Sequence, residues 1–159
     1  MNLNICSGPF PLRGYVNADM TPYPGTDVVC DARALPFKPH SFDKVFFCHA
    51  IEHFTYDEAM QILRDIKKTL KPGGTVVIEG PDVVKSVVNC KDAAKSMQYI
   101  FGDINQIRKH PLYAHKWGYT GELLAREMVR MGYKITKVTE GRSHDRPERD
   151  YRTEGANYE

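Results

Sequence analysis

Several things are missing from this 159-residue sequence, and each absence removes a class of function. The four cysteines, at positions 6, 30, 48 and 90, form no CxxC pair, so neither a zinc ribbon nor a thioredoxin-like redox motif is written here. Reduced thiols packed in strands are the expected state of Cys6, Cys30 and Cys48. The opening MNLNICSG has no basic region followed by an apolar one, and no apolar run approaches membrane length. A soluble, cytoplasmic protein without a membrane partner is expected. Charge of one sign is also scarce: 22 Lys+Arg against 20 Asp+Glu leave nothing that demands a polyanion such as nucleic acid. Repeats, low-complexity tracts and linkers are absent, and the length suits one domain over residues 1–159.

What is present is organised around Phe42–Phe54, FDKVFFCHAIEHF. Val45, Phe46 and Phe47 read as the middle of a buried strand. The polar cluster His49, Glu52 and His53 follows at once, and then Thr55-Tyr56-Asp57-Glu58 forms a capping box. Phe54 stands where a hydrophobic staple onto Ala59 is expected. The stretch therefore predicts a strand, a polar turn and a helix. In open α/β sheets, the carboxyl edge of the strands is where ligands bind.

The flanking chain supplies the other elements. Strands are predicted at Asn2–Cys6, Tyr15–Asp19, Asp27–Cys30, Thr75–Glu79 and Tyr133–Glu140, with a last short one over Asp150–Gly155. From Thr55, the apolar positions Ala59, Ile62, Leu63, Ile66 and Leu70 recur at helical spacing, and Pro72-Gly73-Gly74 is the expected stop. Residues 83–105 read as helix in two pieces broken near Asn89, and Thr120 caps a helix running through Met131. Gln106–Tyr119 reads as an aromatic loop, in which His115, Trp117 and Tyr119 are placed either as a lid or as packing on the next helix. His144 and Asp145 fall in a polar loop and are expected at the surface. Buried strands alternating with helices predict a three-layer α/β sheet. Strands one and two, however, are separated by only about seven residues, where a parallel crossover takes a dozen or more. The first crossover helix is therefore expected to be reduced or missing.

Two constellations carry chemistry. His49-Ala50-Ile51-Glu52-His53 spells H-x-x-E-H, the inverted zincin pattern, but the cap at Thr55 cuts off any long metal-bearing helix and no third ligand is evident. A metal-dependent hydrolase using His49, Glu52 and His53 is the lesser reading, and no metal is expected. Asp19 and Asp31 each end a strand, where a carboxylate can accept hydrogen bonds from ribose hydroxyls or an exocyclic amine; either alone is explained as turn chemistry. Together, beside a small-residue turn after strand one, they favour a nucleoside ligand. The turn lacks G-x-G-x-x-G, so it is not a dinucleotide fingerprint.

The run Asp31-Ala32-Arg33-Ala34-Leu35-Pro36-Phe37, then Ser41-Phe42-Asp43-Lys44-Val45, Glu52-His53 and Leu70-Lys71-Pro72-Gly73-Gly74 resembles class I S-adenosylmethionine-dependent methyltransferases of the small-molecule type. LNICSG…GYVNADM and HKWGYT extend the resemblance over most of the chain. It implies a Rossmann-like seven-stranded sheet, mostly parallel with a C-terminal antiparallel hairpin, and S-adenosylmethionine as cofactor. It also implies residue roles. Cys6, Ser7 and Gly8 lie under the methionine and ribose, Asp19 binds ribose, and Met20 lies beside adenine. Asp31 meets the adenine amine, Ala32 offers a backbone donor, and Cys48 and His49 lie near the methionine. His53 and Asp82 match positions facing the acceptor and are the catalytic candidates.

Methyl transfer to a small-molecule acceptor is the resulting expectation, and a nucleoside-binding module without catalysis is the alternative. The glycine-rich loop is cut to Ser7-Gly8 and the amino-terminal cover helix has no room. A second copy of the chain, or the segment 106–119, is therefore expected to close the site. Gly80-Pro81-Asp82 lacks the Asn-Pro-Pro-aromatic signature of amino-directed DNA enzymes, which again disfavours nucleic acid.

Overall fold

A computed structural model describes residues 1–140 and 150–157. The loop carrying His144 and Asp145 lies outside the described residues. Seven strands form one sheet: β1 (Asn2–Ile5), β2 (Tyr15–Asp19), β3 (Val28–Val29), β4 (Phe42–Cys48), β5 (Leu70–Pro81), β6 (Lys134–Glu140) and β7 (Asp150–Ala156). Their order is β3-β2-β1-β4-β5-β7-β6. The first five are parallel, and β7 runs antiparallel between β5 and β6. This is the doubly wound, Rossmann-like sheet with an antiparallel end, and its order reverses between β1 and β4.

The helix α1 (Tyr56–Thr69) forms where the pattern predicts. Thr55 accepts from the Glu58 amide, and the Glu58 carboxylate accepts from the Thr55 amide at 2.9 Å. Its apolar face, Ala59, Ile62, Leu63 and Ile66, is fully buried against Leu3, Ile5, Val45, Phe47, Val76 and Ile78 of the sheet, joined by Leu124 and Met128 of α5 (Gly121–Arg130). Phe54 packs on Phe47 with ring centroids 6.2 Å apart. The helix ends before Pro72, because Leu70 is already extended and pairs with Phe42; β5 therefore begins five residues ahead of the predicted Thr75.

No helix joins β1 to β2. Side chains do its work instead. By register Asn4 and Asn17 are neighbours on the sheet face opposite the core strands' Leu3 and Ala18. The Asn17 carboxamide accepts from Asn4 Nδ2 at 3.0 Å and from the Leu12 amide at 2.8 Å, and donates to the Leu12 carbonyl at 3.2 Å. The nine-residue connection 6–14 is thereby laid across the face that a crossover helix would cover.

Beyond β5 come α2 (Val83–Val88), α3 (Ala93–Phe101) and α4 (Ile104–Lys109), with Asn89 as the carboxyl cap of the first. The predicted loop 106–119 is thus partly structured: α4 runs into it and a tight turn, Pro111–Tyr113, follows. Asp103 accepts from the Asn105 amide and starts α4, a local signal hidden by the aromatic content that follows. Among the described residues no helix is long and apolar enough to cross a membrane.

Candidate active site

Where the sheet order reverses, the chain leaves β1 and β4 through two left-handed residues, Cys6 (φ 54°) and His49 (φ 48°). Neither is glycine, and such backbone persists only when the surroundings hold it. Gly8 follows at φ 52°, and a Cβ built there would meet nothing within 4 Å. Ser7 donates its amide to the Ala18 carbonyl at 3.1 Å, so the turn is tied to β2. Together these bends open a cavity of about 840 Å³ over the carboxyl ends of β1 to β4. That volume is in the upper range of small-molecule sites.

Ten of the predicted site residues line this cavity: Cys6, Ser7, Gly8, Asp19, Met20, Asp31, Ala32, Cys48, His49 and His53. Cys6, Cys30 and Cys48 are free thiols as expected, and Cys6 and Cys30 pack against the core, but all three are only half-buried and also line this cavity. Burial, reinforced by the Asp19 charge, pushes the Cys6 thiol well above its ordinary value, so it is no ready nucleophile. The two acids differ. Asp19 accepts from the Gly8 and Thr21 amides, each at 2.8 Å, which leaves half of its lone-pair capacity open. Asp31 accepts from the Arg33 amide and from its guanidinium, Nη2 at 2.6 Å, and this pairing holds its carboxyl below the usual range. Arg33 reaches on to Glu58 at 3.0 Å, tying the β3 end to the capping box of α1.

Asp82 is placed elsewhere. Its carboxylate accepts from the Val84 and Lys85 amides, both at 3.0 Å, as the amino cap of α2, and it lines neither of the two main cavities. An Asp directly before a helix is the ordinary signal for this role.

The far wall is built by segment 103–116, with Asp103, Gln106, His110, Leu112, Tyr113, His115 and Lys116 facing the same space. The Tyr23 and Tyr113 hydroxyls meet at 2.9 Å across it, and the Lys116 amide donates to the Glu52 carbonyl at 2.7 Å. The aromatic residues placed together in the sequence separate here. Trp117 packs outside on Tyr56, with centroids 5.5 Å apart, and Tyr119 is core, 1 % exposed.

Behind this wall lies a second cavity of about 450 Å³, lined by His49, Glu52, Gln98, Asp103, His115 and Asp150 among others. His49 and His53 do not sit one α-helical turn apart, as a zincin needs. His49 directly follows β4, and His53 closes the tight turn Ile51–His53. Burial would lower the His49 pKa, but the charges of Asp150, 3.4 Å away, and of Glu52, 3.9 Å away, outweigh it and raise it. Burial pushes the Glu52 carboxyl up to about 7 and the His53 imidazole down to about 4. His115 is lowered as well, again chiefly by burial. It stands against His53 with ring centroids 5.0 Å apart, a contact no local pattern announced.

Comparison with known proteins agrees with this geometry. Residues 15–78 match the family described as methyltransferase domain. No curated protein matches the chain. Among solved structures, a 1,6-didemethyltoxoflavin-N1-methyltransferase from Burkholderia thailandensis, with 1,6-didemethyltoxoflavin and S-adenosylhomocysteine bound, is similar at 13 % identity and TM-score 0.69, covering 99 % of this chain and 71 % of that one. An S-adenosylmethionine-dependent methyltransferase from Methanosarcina mazei gives 15 % identity and 0.68, covering 98 % and 91 %. Another from Archaeoglobus fulgidus gives 15 % and 0.66, covering 98 % and 85 %. The family match spans residues 15–78, from β2 to β5, and over nearly its whole length the chain has the fold of S-adenosylmethionine-dependent methyltransferases.

Proposed function

We propose that the chain transfers a methyl group from S-adenosylmethionine to a small-molecule acceptor, acting as one domain with 106–119 as its lid. The observation that carries this is the cavity at the strand-order reversal, where the Gly8 turn leaves open space and Asp19 keeps free lone pairs. The residues fit the cofactor. Cys6, Ser7 and Gly8 would lie under its methionine and ribose, Asp19 would take the ribose hydroxyls, and Met20 and Ala32 would flank adenine. Asp31, already paired with Arg33, would meet the adenine amine only with its remaining acceptor capacity. Cys48 and His49 would stand near the methionine end, and His53 would face the acceptor.

When bound, the cofactor supplies an electrophilic methyl on a sulfonium. Direct displacement needs an aligned, desolvated acceptor more than it needs covalent help from the protein. The chain's part is to position. The Tyr23–Tyr113 contact ties segment 103–116 to the loop after β2 and makes it one wall of the cavity. A small acceptor is supported by that wall, by the near-neutral charge, and by the Burkholderia structure, which holds 1,6-didemethyltoxoflavin. Asp82 has no part in this reading, since it caps α2 and lines neither of the two main cavities.

Titration calorimetry with S-adenosylhomocysteine, followed by transfer of labelled methyl to a panel of small phenols, amines and thiols, is the test. Binding without transfer to any acceptor would favour the second reading, a nucleoside-binding module, for which the shortened loop 6–14 speaks. Absence of binding would end both.

A further inference from the structure

We infer that Glu52, His53 and His115 form a binding site for a divalent transition metal of the zinc class, on the wall between the two cavities. One carboxylate oxygen of Glu52 and one ring nitrogen of each histidine all lie within 4.8 Å of one another. Bound to zinc at 2.0–2.2 Å, three such atoms stand about 3.4 Å apart, so closing the site takes side-chain rotation rather than a change of fold.

Three independent features point to a ligand rather than to chance proximity. First, both imidazoles are oriented from behind by backbone. His53 Nδ1 lies 3.4 Å from the Ala114 carbonyl, and His115 Nδ1 lies 3.0 Å from the Tyr99 carbonyl. A nitrogen facing a carbonyl carries the proton, which leaves the lone pair of each ring on Nε2. This carbonyl-braced tautomer is the usual support of metal-bound histidine. Second, Glu52 is 4 % exposed and its Oε2 has no hydrogen-bond partner. A buried carboxylate oxygen without a donor is costly unless something positive meets it. Third, the donor set of two imidazoles and one carboxylate suits zinc and its neighbours, and as three protein ligands it leaves a coordination position open. His53 and His115 border the large cavity, so that position would look toward the acceptor space, and His53 would face the acceptor as a ligand of the ion.

The H-x-x-E-H spelling gives the wrong set. His49 follows β4 with its ring toward Asp150, and the third ligand comes from residue 115, within segment 106–119. Four cysteines offer a rival set, of which Cys6, Cys30 and Cys48 line the large cavity.

The test is titration of the chelator-treated full chain with Co²⁺ and with Zn²⁺, read by visible absorption and calorimetry. One equivalent of Co²⁺ should bind, with the d–d bands of an N/O site and no sulfur charge-transfer band. His115→Asn and Glu52→Gln should each weaken uptake at least about 100-fold, since even outer-shell partners of a metal ligand are worth 10–100-fold. Cys48→Ser should retain it. Glu52→Gln keeps side-chain shape and removes a buried charge, so a folded circular-dichroism spectrum with lost uptake isolates the ligand role from loss of fold. No saturable binding in the parent chain, uptake unchanged in both variants, or uptake lost only in Cys48→Ser would overturn the assignment. S-adenosylhomocysteine binding is titrated separately, so the two readings fail independently.

Discussion

Glu52 and His53 sit side by side in one turn, and burial drives their protons in opposite directions, which makes Glu52→Gln an informative substitution. The Glu52 carboxyl is pushed from 4.5 up to about 7 by burial, with the His49 charge pulling the other way and Asp150 adding to the rise. Its folded pKa lies above the unfolded one. The native state therefore keeps a proton that the unfolded chain has released, and the stability this gives is fully present below the unfolded value and lost as pH rises toward 7. Integrated over the shift, the loss is roughly 3 kcal/mol. His53 has the opposite sign. Burial, with the His115 and His49 charges adding, brings it from 6.5 down to about 4. The unfolded chain takes up a proton that the native state refuses, so stability falls as pH drops from 6.5 toward 4, again by roughly 3 kcal/mol.

Between about pH 5 and pH 7.5 these two slopes nearly cancel, and the parent chain should show a flat stability profile in chelator. The carboxamide that replaces the Glu52 carboxyl cannot titrate, so the variant keeps the rising His53 slope, to which the lowered His115 adds with the same sign. His49, raised in part by the Glu52 charge, loses some of that rise and contributes with the same sign. Urea unfolding at both pH values should show Glu52→Gln gaining on the parent by roughly 2–3 kcal/mol at the higher pH. A gap between the two proteins that stays constant across the range would refute the burial argument for Glu52.

Three further outcomes are expected. Asp19→Ala removes two acceptors of backbone amides at a half-buried site, so apo stability should fall by about 2 kcal/mol, and S-adenosylhomocysteine affinity should drop at least about tenfold by calorimetry. Asp31→Ala should cost less affinity, because Arg33 already neutralises that carboxylate. Tyr113→Phe breaks the hydroxyl contact with Tyr23, worth about 1 kcal/mol, and hydrogen exchange across 106–116 should quicken severalfold in the free protein with the global melting point nearly unchanged. Asn17→Ala leaves the Asn4 carboxamide and the Leu12 amide and carbonyl without their partner. Chemical denaturation should report a loss of about 2–3 kcal/mol, and affinity for S-adenosylhomocysteine should fall as the 6–14 turn drifts from β2.

The sequence by itself determined whatever its own neighbours decide. The apolar spacing of α1 and the Thr55–Glu58 box are signals within four residues, and both formed as read, save that Leu70 left the helix for β5. The bounds of β2 match at both ends, and about seven residues between the first strands were too few for a crossover helix. The Asp82 cap was equally local, yet the resemblance to a methyltransferase drew that residue toward the acceptor instead. Only the tertiary structure decided what distant segments share. The amide of Lys116 reaches the carbonyl of Glu52 and that of His115 the carbonyl of Phe101, and such bonds bring His115 beside His53 although 62 positions separate them. The burial of Glu52, the latch of Asn17 under a loop and the separation of Trp117 from Tyr113 are likewise set by which faces the sheet brings together. A one-dimensional pattern records periodicity within an element, whereas those faces are fixed by the crossing of elements whose contacts lie far apart in the chain.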